Sequence, residues 1–241
     1  MTAALTDSRD VADAQLMRGT LLHGEPMAAH TSWRAGGVAT RYYIPADIDD
    51  LAKFIAGLDS SENILWIGLG SNLLVRDGGF SGTVIAAAGV LDEMTLQEVG
   101  IKVGAGLACA KVARFSADQG YTGAEFLAGI PGTIGGALTM NAGAFGGETW
   151  DIVEHVETLN RSGQIQVRRP GDFEIAYRSV NIPAGEWFIS ALLKLDRDEQ
   201  RAARTNIRNL LAQRAATQPL GERSCGSVFR NPPGDYAARL I

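Results

Sequence analysis

Two stretches of this 241-residue chain hold the groups best able to do chemistry through the backbone. The first is "GLGSNLLV", residues 68–75, entered by the apolar run Ile64 to Ile67. Gly68 and Gly70 let successive N–H groups close on an anion, and Ser71 and Asn72 add short donors. A P-loop would need Lys-Ser/Thr after its last glycine and a helix behind it, and neither is present. A dinucleotide fingerprint would need a third glycine and a helix, whereas Leu73-Leu74-Val75 read as a strand. The loop is therefore expected to join strand to strand. Taken alone, it reads more plainly as a tight turn without a ligand.

The second stretch is "AGIPGTIGGALTMNAGAFGGE", residues 128–148, dense in glycine and almost uncharged. Pro131 and the small residues around it would let a flat, extended ligand approach the backbone. A small-residue packing seam between two subdomains is the alternative. Two separate cradles, both short of side chains, suit a long ligand held at several backbone points, and a dinucleotide is the natural candidate.

Regular elements must position these cradles. "ADIDDLAKFIAGL" (46–58) has apolar residues at helical spacing behind an Asp cap. "NILWIGLG" reads as a buried strand, and "GTVIAAAG" and the alternating "TLQEVGIKVGAG" read as strands, giving a βαβ-like opening. "ACAKVARFSADQGYTG" (108–123) reads as a helix ended by Gly120. "VEHVETLN", "GQIQVRR" and "WFISALLKL" read as antiparallel strands, and 198–218 as the clearest helix. Residues 201–230 hold six arginines against one acid, Glu222, so a domain border is expected near residue 200.

Composition bounds the function. At 46% hydrophobic, the chain can bury a sizeable core. Its 29 glycines, well above the usual ~7%, gather in motifs rather than in a linker. A net charge of −5 argues against bulk-charge binding to nucleic acid. Cys109 and Cys225 lie far apart and outside any metal-type spacing, which suits a reduced cytoplasmic protein with no metal. No apolar run approaches the ~18 residues of a membrane span, and "MTAALTDSRDVADAQ" lacks the features of a signal peptide.

Four motifs, "GLGSNLLVRDGGFSGTVI", "GAEFLAGIPGTIGGALTMNAGAFGGE", "AYRSVNIP" and "QP…SCGSVFRNP", occur in the order found in the UDP-N-acetylenolpyruvoylglucosamine reductases, and "HTSWRAGG" (30–37) resembles that family's opening motif. The resemblance runs from about His30 to the last residue. It implies an α+β chain with an FAD-binding fold of the vanillyl-alcohol-oxidase/p-cresol-methylhydroxylase type. The expected layout is a tail (1–20), two FAD-binding subdomains (21–98 and 99–200) and the start of a smaller α+β substrate-binding domain (201–241). It implies cofactor contacts at Gly68, Gly70, Ser71, Asn72 and Leu73, then at Pro131, Gly132, Thr133 and Gly135, and then at Asn141, Gly143 and Gly146.

The reaction implied by the resemblance begins with NADPH reducing the flavin. A hydride then passes to the β-carbon of an enolpyruvyl ether on a UDP-sugar, enolate charge builds on the carboxylate side, and a proton reaches the neighbouring carbon. Arg178 in "AYRSV" suits the enolate, because a guanidinium grips a carboxylate at two points; by itself it reads as a surface arginine. Ser227 in "CGSVFRNP" is implied as the proton donor, although a loop serine after a glycine is weak evidence alone. "CGSVF" is not a hydrolase elbow, since position 229 is Phe. Asn231 is an implied substrate contact, and Arg214, Arg223 and Arg230, close to that motif, suit the anions of the substrate. Arg201, Arg204 and Arg208 read as a solvated helix face. The resemblance also implies a catalytic glutamate in a segment that would follow "YAARLI", and no glutamate in this sequence takes that role. The expected protein is a monomer with non-covalent FAD, since neither cradle holds a His or Cys for flavin attachment. That absence disfavours a carbohydrate oxidase. A flavin-binding module without turnover remains the second reading.

Overall fold

The structure, a computed structural model, describes residues 17–218 and 229–241. The predicted N-terminal tail to residue 16, Arg223, Cys225 and Ser227 lie outside the described residues. The chain begins with β1 (Thr20–Pro26), β2 (Val38–Ile44), helix α1 (Ile48–Gly57), β3 (Ile64–Ile67) and β4 (Phe80–Ala86). These four strands form one sheet in the order β1-β2-β4-β3, antiparallel at β1 and parallel elsewhere.

Helix α1 shows why the sequence folds this way. Ile48, Leu51, Phe54 and Ile55 fall on one face, and the latter three are buried. Asp47 accepts the Asp50 amide at 2.9 Å, satisfying a first-turn donor. Asp50 is itself buried and accepts from Tyr43 Oη (2.6 Å), the Ala46 amide (2.9 Å) and the Arg18 amide (2.8 Å). Burial pushes its pKa up, but these donors together outweigh burial and hold the carboxyl below its ordinary value.

The second half runs β5 (Met94–Gln97), β6 (Gly100–Gly104), α2 (Cys109–Asp118), β7 (Tyr121–Thr122), α3 (Ile134–Met140), β8 (Gly143–Ala144), β9 (Gly147–Glu148), β10 (Val153–Asn160) and β11 (Ile165–Arg168). It continues with β12 (Glu174–Ala176), β13 (Ser179–Asn181), β14 (Glu186–Lys194), β15 (Asp196–Arg197), α4 (Ala203–Thr217) and α5 (Ala237–Leu240). A five-stranded sheet has the order β11-β10-β14-β6-β5, and each of its pairs is antiparallel.

One face of this sheet packs on α2 and α3 through Val103, Leu107, Val112, Leu127 and Ile134. Tyr43, Leu51, Phe54 and Ile85 from the first sheet and α1 join Leu159 and Ile189 of the second sheet in one buried cluster, so the two sheets share a core. Met27, Tyr42, Ile67 and Val75 line the far side of the first sheet.

Three expectations change. Leu73–Val75 are not a strand: residues 68–79 are irregular until β4 begins at Phe80. β3 and β4 are parallel neighbours, and such a link takes about a dozen residues or more, so this stretch is needed as the crossover. Val75 is buried on the core while Leu74 stays exposed, so the apolar run anchors the crossover without pairing. "TLQEVGIKVGAG" is a hairpin, β5 and β6, reversing at Glu98–Val99 with Gly100 at φ +154°. The second glycine stretch is not one extended cradle, because it contains α3 and the β8–β9 hairpin.

Candidate cofactor and substrate site

Three segments meet at the end of β3. A side chain at Gly70 (φ +63°) would collide with the His30 carbonyl, and one at Gly68 with Thr133 Oγ1. A β-carbon at Gly132 would stand 3.3 Å from Ser71 Oγ. The two glycine segments, separated by some sixty positions in the sequence, therefore touch, and residues 30–37 close the third side. Ser32 donates its amide to the Gly70 carbonyl (3.1 Å), and Gly37 donates to Arg76 O (3.1 Å). Beside this junction opens a cleft of about 640 Å³, bordered by Thr31, Ser32, Arg34, Gly68, Leu69 and Ala88.

The amides of the two glycine segments are used differently. Those of Leu69, Gly70, Ser71 and Asn72 donate to no group among the described residues. In the second segment, Ile134 N donates to Leu107 O (2.9 Å), Gly135 N to Ala105 O (2.8 Å) and Gly136 N to Thr133 Oγ1 (3.5 Å). The start of α3 is thus held by the protein itself. Thr133 is buried, and Gly135 lies tight against Ala105, where a β-carbon would stand 3.1 Å from the Ala105 β-carbon, so neither offers a side-chain contact to a ligand. Pro131 is exposed and Gly132 half-buried beside Ser71; Leu73 is half-buried in the crossover.

Asn141 caps α3 in the left-handed region, with φ +39°. Its Nδ2 donates to Glu148 Oε2 (2.7 Å) and its Oδ1 accepts the Trp150 amide (3.2 Å), so the side chain braces the β8–β9 hairpin. Gly143 and Gly146 lie in that hairpin, and Gly146 (φ +87°) has open space around it.

The cleft wall holds a polar chain that sequence reasoning did not single out. His30 Nε2 lies 2.7 Å from Glu25 Oε1, and Tyr42 Oη lies 3.0 Å from His30 Nδ1. An ionised carboxylate only accepts, so Nε2 carries the proton there. Burial, reinforced by the Glu25 charge, pushes the Tyr42 phenol up to about 12 and keeps it neutral. Trp33 Nε1 is buried with no hydrogen-bond partner among the described residues. An orphaned donor and four unengaged amides beside a cleft suit a ligand rich in acceptors, and FAD, with its diphosphate and hydroxyls, fits that description.

Arg178 occupies the two-residue turn of the β12–β13 hairpin, between the paired Ala176 and Ser179, with φ +53°. β13 packs against α3, which places this hairpin on the same side of the second sheet as the glycine junction. Arg178 Nη1 donates to Phe229 O (3.1 Å), and Arg230 Nη2 donates to Arg178 O (3.3 Å). The structure thus joins "AYRSV" to the residues just past Ser227. Asn231 Oδ1 accepts the Ala237 amide (3.0 Å) and so shapes the final turn. Arg201, Arg204 and Arg208 are exposed; Arg204 pairs with Asp118.

Non-glycine residues at positive φ are uncommon and are held by their surroundings. Arg34, Asn141, Phe145 and Arg178 are four of them, and each sits in one of the motifs described above.

An FAD binding domain profile matches residues 39–168. The fold and this match place the protein among FAD-dependent oxidoreductases. The UDP-N-acetylenolpyruvoylglucosamine reductase of Legionella pneumophila (strain Lens) is 57% identical over 98% of this chain and 76% of its own length. That of Alkalilimnicola ehrlichii (strain ATCC BAA-1101 / DSM 17681 / MLHE-1) is 54% identical over 95% of this chain and 77% of its own. The crystal structure of UDP-N-acetylenolpyruvylglucosamine reductase from Thermus caldophilus superposes with a TM-score of 0.79 at 32% identity, covering 93% of this chain and 79% of that one. The chain belongs to the UDP-N-acetylenolpyruvoylglucosamine reductase family, whose members act in peptidoglycan precursor synthesis. Among the described residues, no helix is long and apolar enough to cross a membrane.

Proposed function

We propose that the chain uses NADPH and FAD to reduce the enolpyruvyl ether of UDP-N-acetylenolpyruvoylglucosamine to UDP-N-acetylmuramate. The observation that carries this reading is the meeting of the two glycine segments at one cleft, with unengaged amides on one side and Arg178 on a hairpin packed against α3. FAD, when bound, supplies a two-electron hydride donor.

The chain's residues do the rest. Amides 69–72 receive the cofactor's diphosphate without being desolvated by side chains, and Gly132 and Gly146 leave backbone open to it. Arg178 holds the substrate carboxylate and stabilises the charge that grows there as the hydride reaches the β-carbon. Ser227 gives its proton to the adjacent carbon, completing the saturated ether. Arg230 and Asn231 border the substrate.

The same reading makes the protein a cytoplasmic monomer that holds FAD without a covalent bond. We draw the border between the FAD-binding subdomains before Met94 rather than at residue 98, because β5 pairs with β6 and belongs to the second sheet.

Separate half-reactions test this proposal. Anaerobic bleaching of the flavin by NADPH should be nearly unchanged in Arg178→Met and Ser227→Ala. Its reoxidation by UDP-N-acetylenolpyruvoylglucosamine should slow by ~10²-fold or more in each, the scale of a lost oxyanion donor or general acid. Equal slowing of both halves would assign Arg178 and Ser227 to cofactor holding and overturn their roles toward the substrate.

A further inference from the structure

Arg34 stands in the rim of the cleft with its backbone in the left-handed region, φ +52°. That region disfavours any residue with a β-carbon, and glycine or asparagine is the usual occupant. In this protein a tight turn enforces it: Arg34 N donates to Thr31 O (3.1 Å), and Thr31 Oγ1 donates to Ala35 O (3.1 Å). Ser32 ties the turn to Gly70, the most crowded glycine of the first loop. The fold therefore keeps a strained arginine where Gly36 or Gly37, two and three positions on, would have suited the conformation.

Packing does not account for the arginine. Its side chain is exposed and forms no hydrogen bond or ion pair among the described residues. Among the described residues bordering the cleft it is the one permanent cation, since His30 is engaged by Glu25 and Tyr42. Gly68 and Leu69, where the unengaged amides begin, border the same cleft. Amides supply direction but little net charge, whereas a guanidinium supplies charge and a planar fork that matches two phosphate oxygens.

We propose that Arg34 is an anchor for the diphosphate of the bound cofactor, acting with the amides of residues 69–72. This inference rests on the reading of the cleft as an FAD site.

The test uses flavin-stripped protein titrated with FAD, followed by flavin fluorescence, with ADP as a competing probe that carries the diphosphate alone. Arg34→Gly and Arg34→Asn both tolerate the left-handed backbone, so the thermal midpoint of the stripped protein should stay level or rise. FAD affinity should fall about tenfold or more, the scale of a lost charge-assisted contact, with Arg34→Lys in between. ADP affinity should fall by the same factor. Arg34→Gly binding FAD within about twofold of the parent would overturn the anchor while leaving the FAD reading intact, as would loss of FAD affinity with ADP unchanged. A parent protein that takes up no FAD would overturn both.

Discussion

The crossover 68–79 and the stretch 129–148 are both rich in glycine, yet their glycines answer to different demands. In the crossover they admit the protein's own backbone. Side chains at Gly70 and Gly79 would run into the His30 and Val38 carbonyls, and both residues have positive φ. In the later stretch the demands are mixed: β-carbons at Gly129 and Gly147 would meet the Phe145 and Phe126 rings and one at Gly143 the Gly147 carbonyl, whereas Gly136 and Gly146 have open space or ordinary contact around them and Gly132 meets only Ser71 Oγ. The amides differ as well. The crossover leaves four of them unengaged, while the later stretch has those at the start of α3 bonded internally. Crowding around Gly70 thus fixes a loop with unengaged N–H groups, and open space around Gly146 leaves room beside the chain.

Substitutions can break this contrast. Gly70→Ala should have the largest effect, because left-handed strain adds to a clash with a carbonyl that cannot rotate away: about 3–5 kcal/mol, read as a lower thermal midpoint. Gly68→Ala meets the Thr133 side chain rather than a fixed carbonyl, so about 1–3 kcal/mol is expected, with cofactor affinity lowered in parallel. Gly132→Ala should cost less than about 1 kcal/mol of stability in the ligand-free protein while weakening FAD binding. If Gly132→Ala destabilises as much as Gly70→Ala, the contrast between the two regions is wrong.

Much of this architecture is legible in the sequence, and the failures have physical causes. Helix α1 follows from apolar spacing and the Asp47 cap, and the segments 108–123 and 198–218 that read as helices contain α2 and α4. Leu73–Val75 mislead because a run of branched residues resembles a strand whether or not a partner edge is available. The β5–β6 turn carries only Gly100 as a signal, so alternation through it reads as one strand. Trp33 and Arg34 lie in "HTSWRAGG", which stands out as a motif. The residue types alone do not show that Arg34 is left-handed; the Thr31 turn and the bond from Ser32 to the distant Gly70 enforce it. The link from Arg178 to Phe229 crosses 51 positions, and no periodicity reports such a contact.

Acid sensitivity sharpens the comparison from another side, since neither the amides of 69–72 nor the α3 start titrates. Asp50, Glu62, Glu157 and Glu186 all sit below their ordinary values. For Asp50, Glu62 and Glu157 burial opposes the shift and is outweighed by their donors; for Glu186 the Arg168 fork is the largest cause. A depressed carboxylate contributes stability that is fully present above its unfolded pKa, about 4, and is lost as pH falls through the lower folded value. Stability of the parent should therefore decline below about pH 4. Asp50→Asn should be less stable by about 1–2 kcal/mol at neutral pH and show a shallower acid decline. An unchanged decline would remove Asp50 from this set.

The central claim, that this fold holds FAD non-covalently at the junction of the two glycine segments, has a direct measurement. Purified protein is denatured in acid and centrifuged, and the supernatant and pellet are assayed for flavin. The expected result is a yellow protein whose FAD passes quantitatively into the supernatant at about one equivalent per chain, the occupancy of a single site. Flavin retained in the pellet would contradict non-covalent binding, and a protein that carries no flavin and takes none up would contradict the site itself.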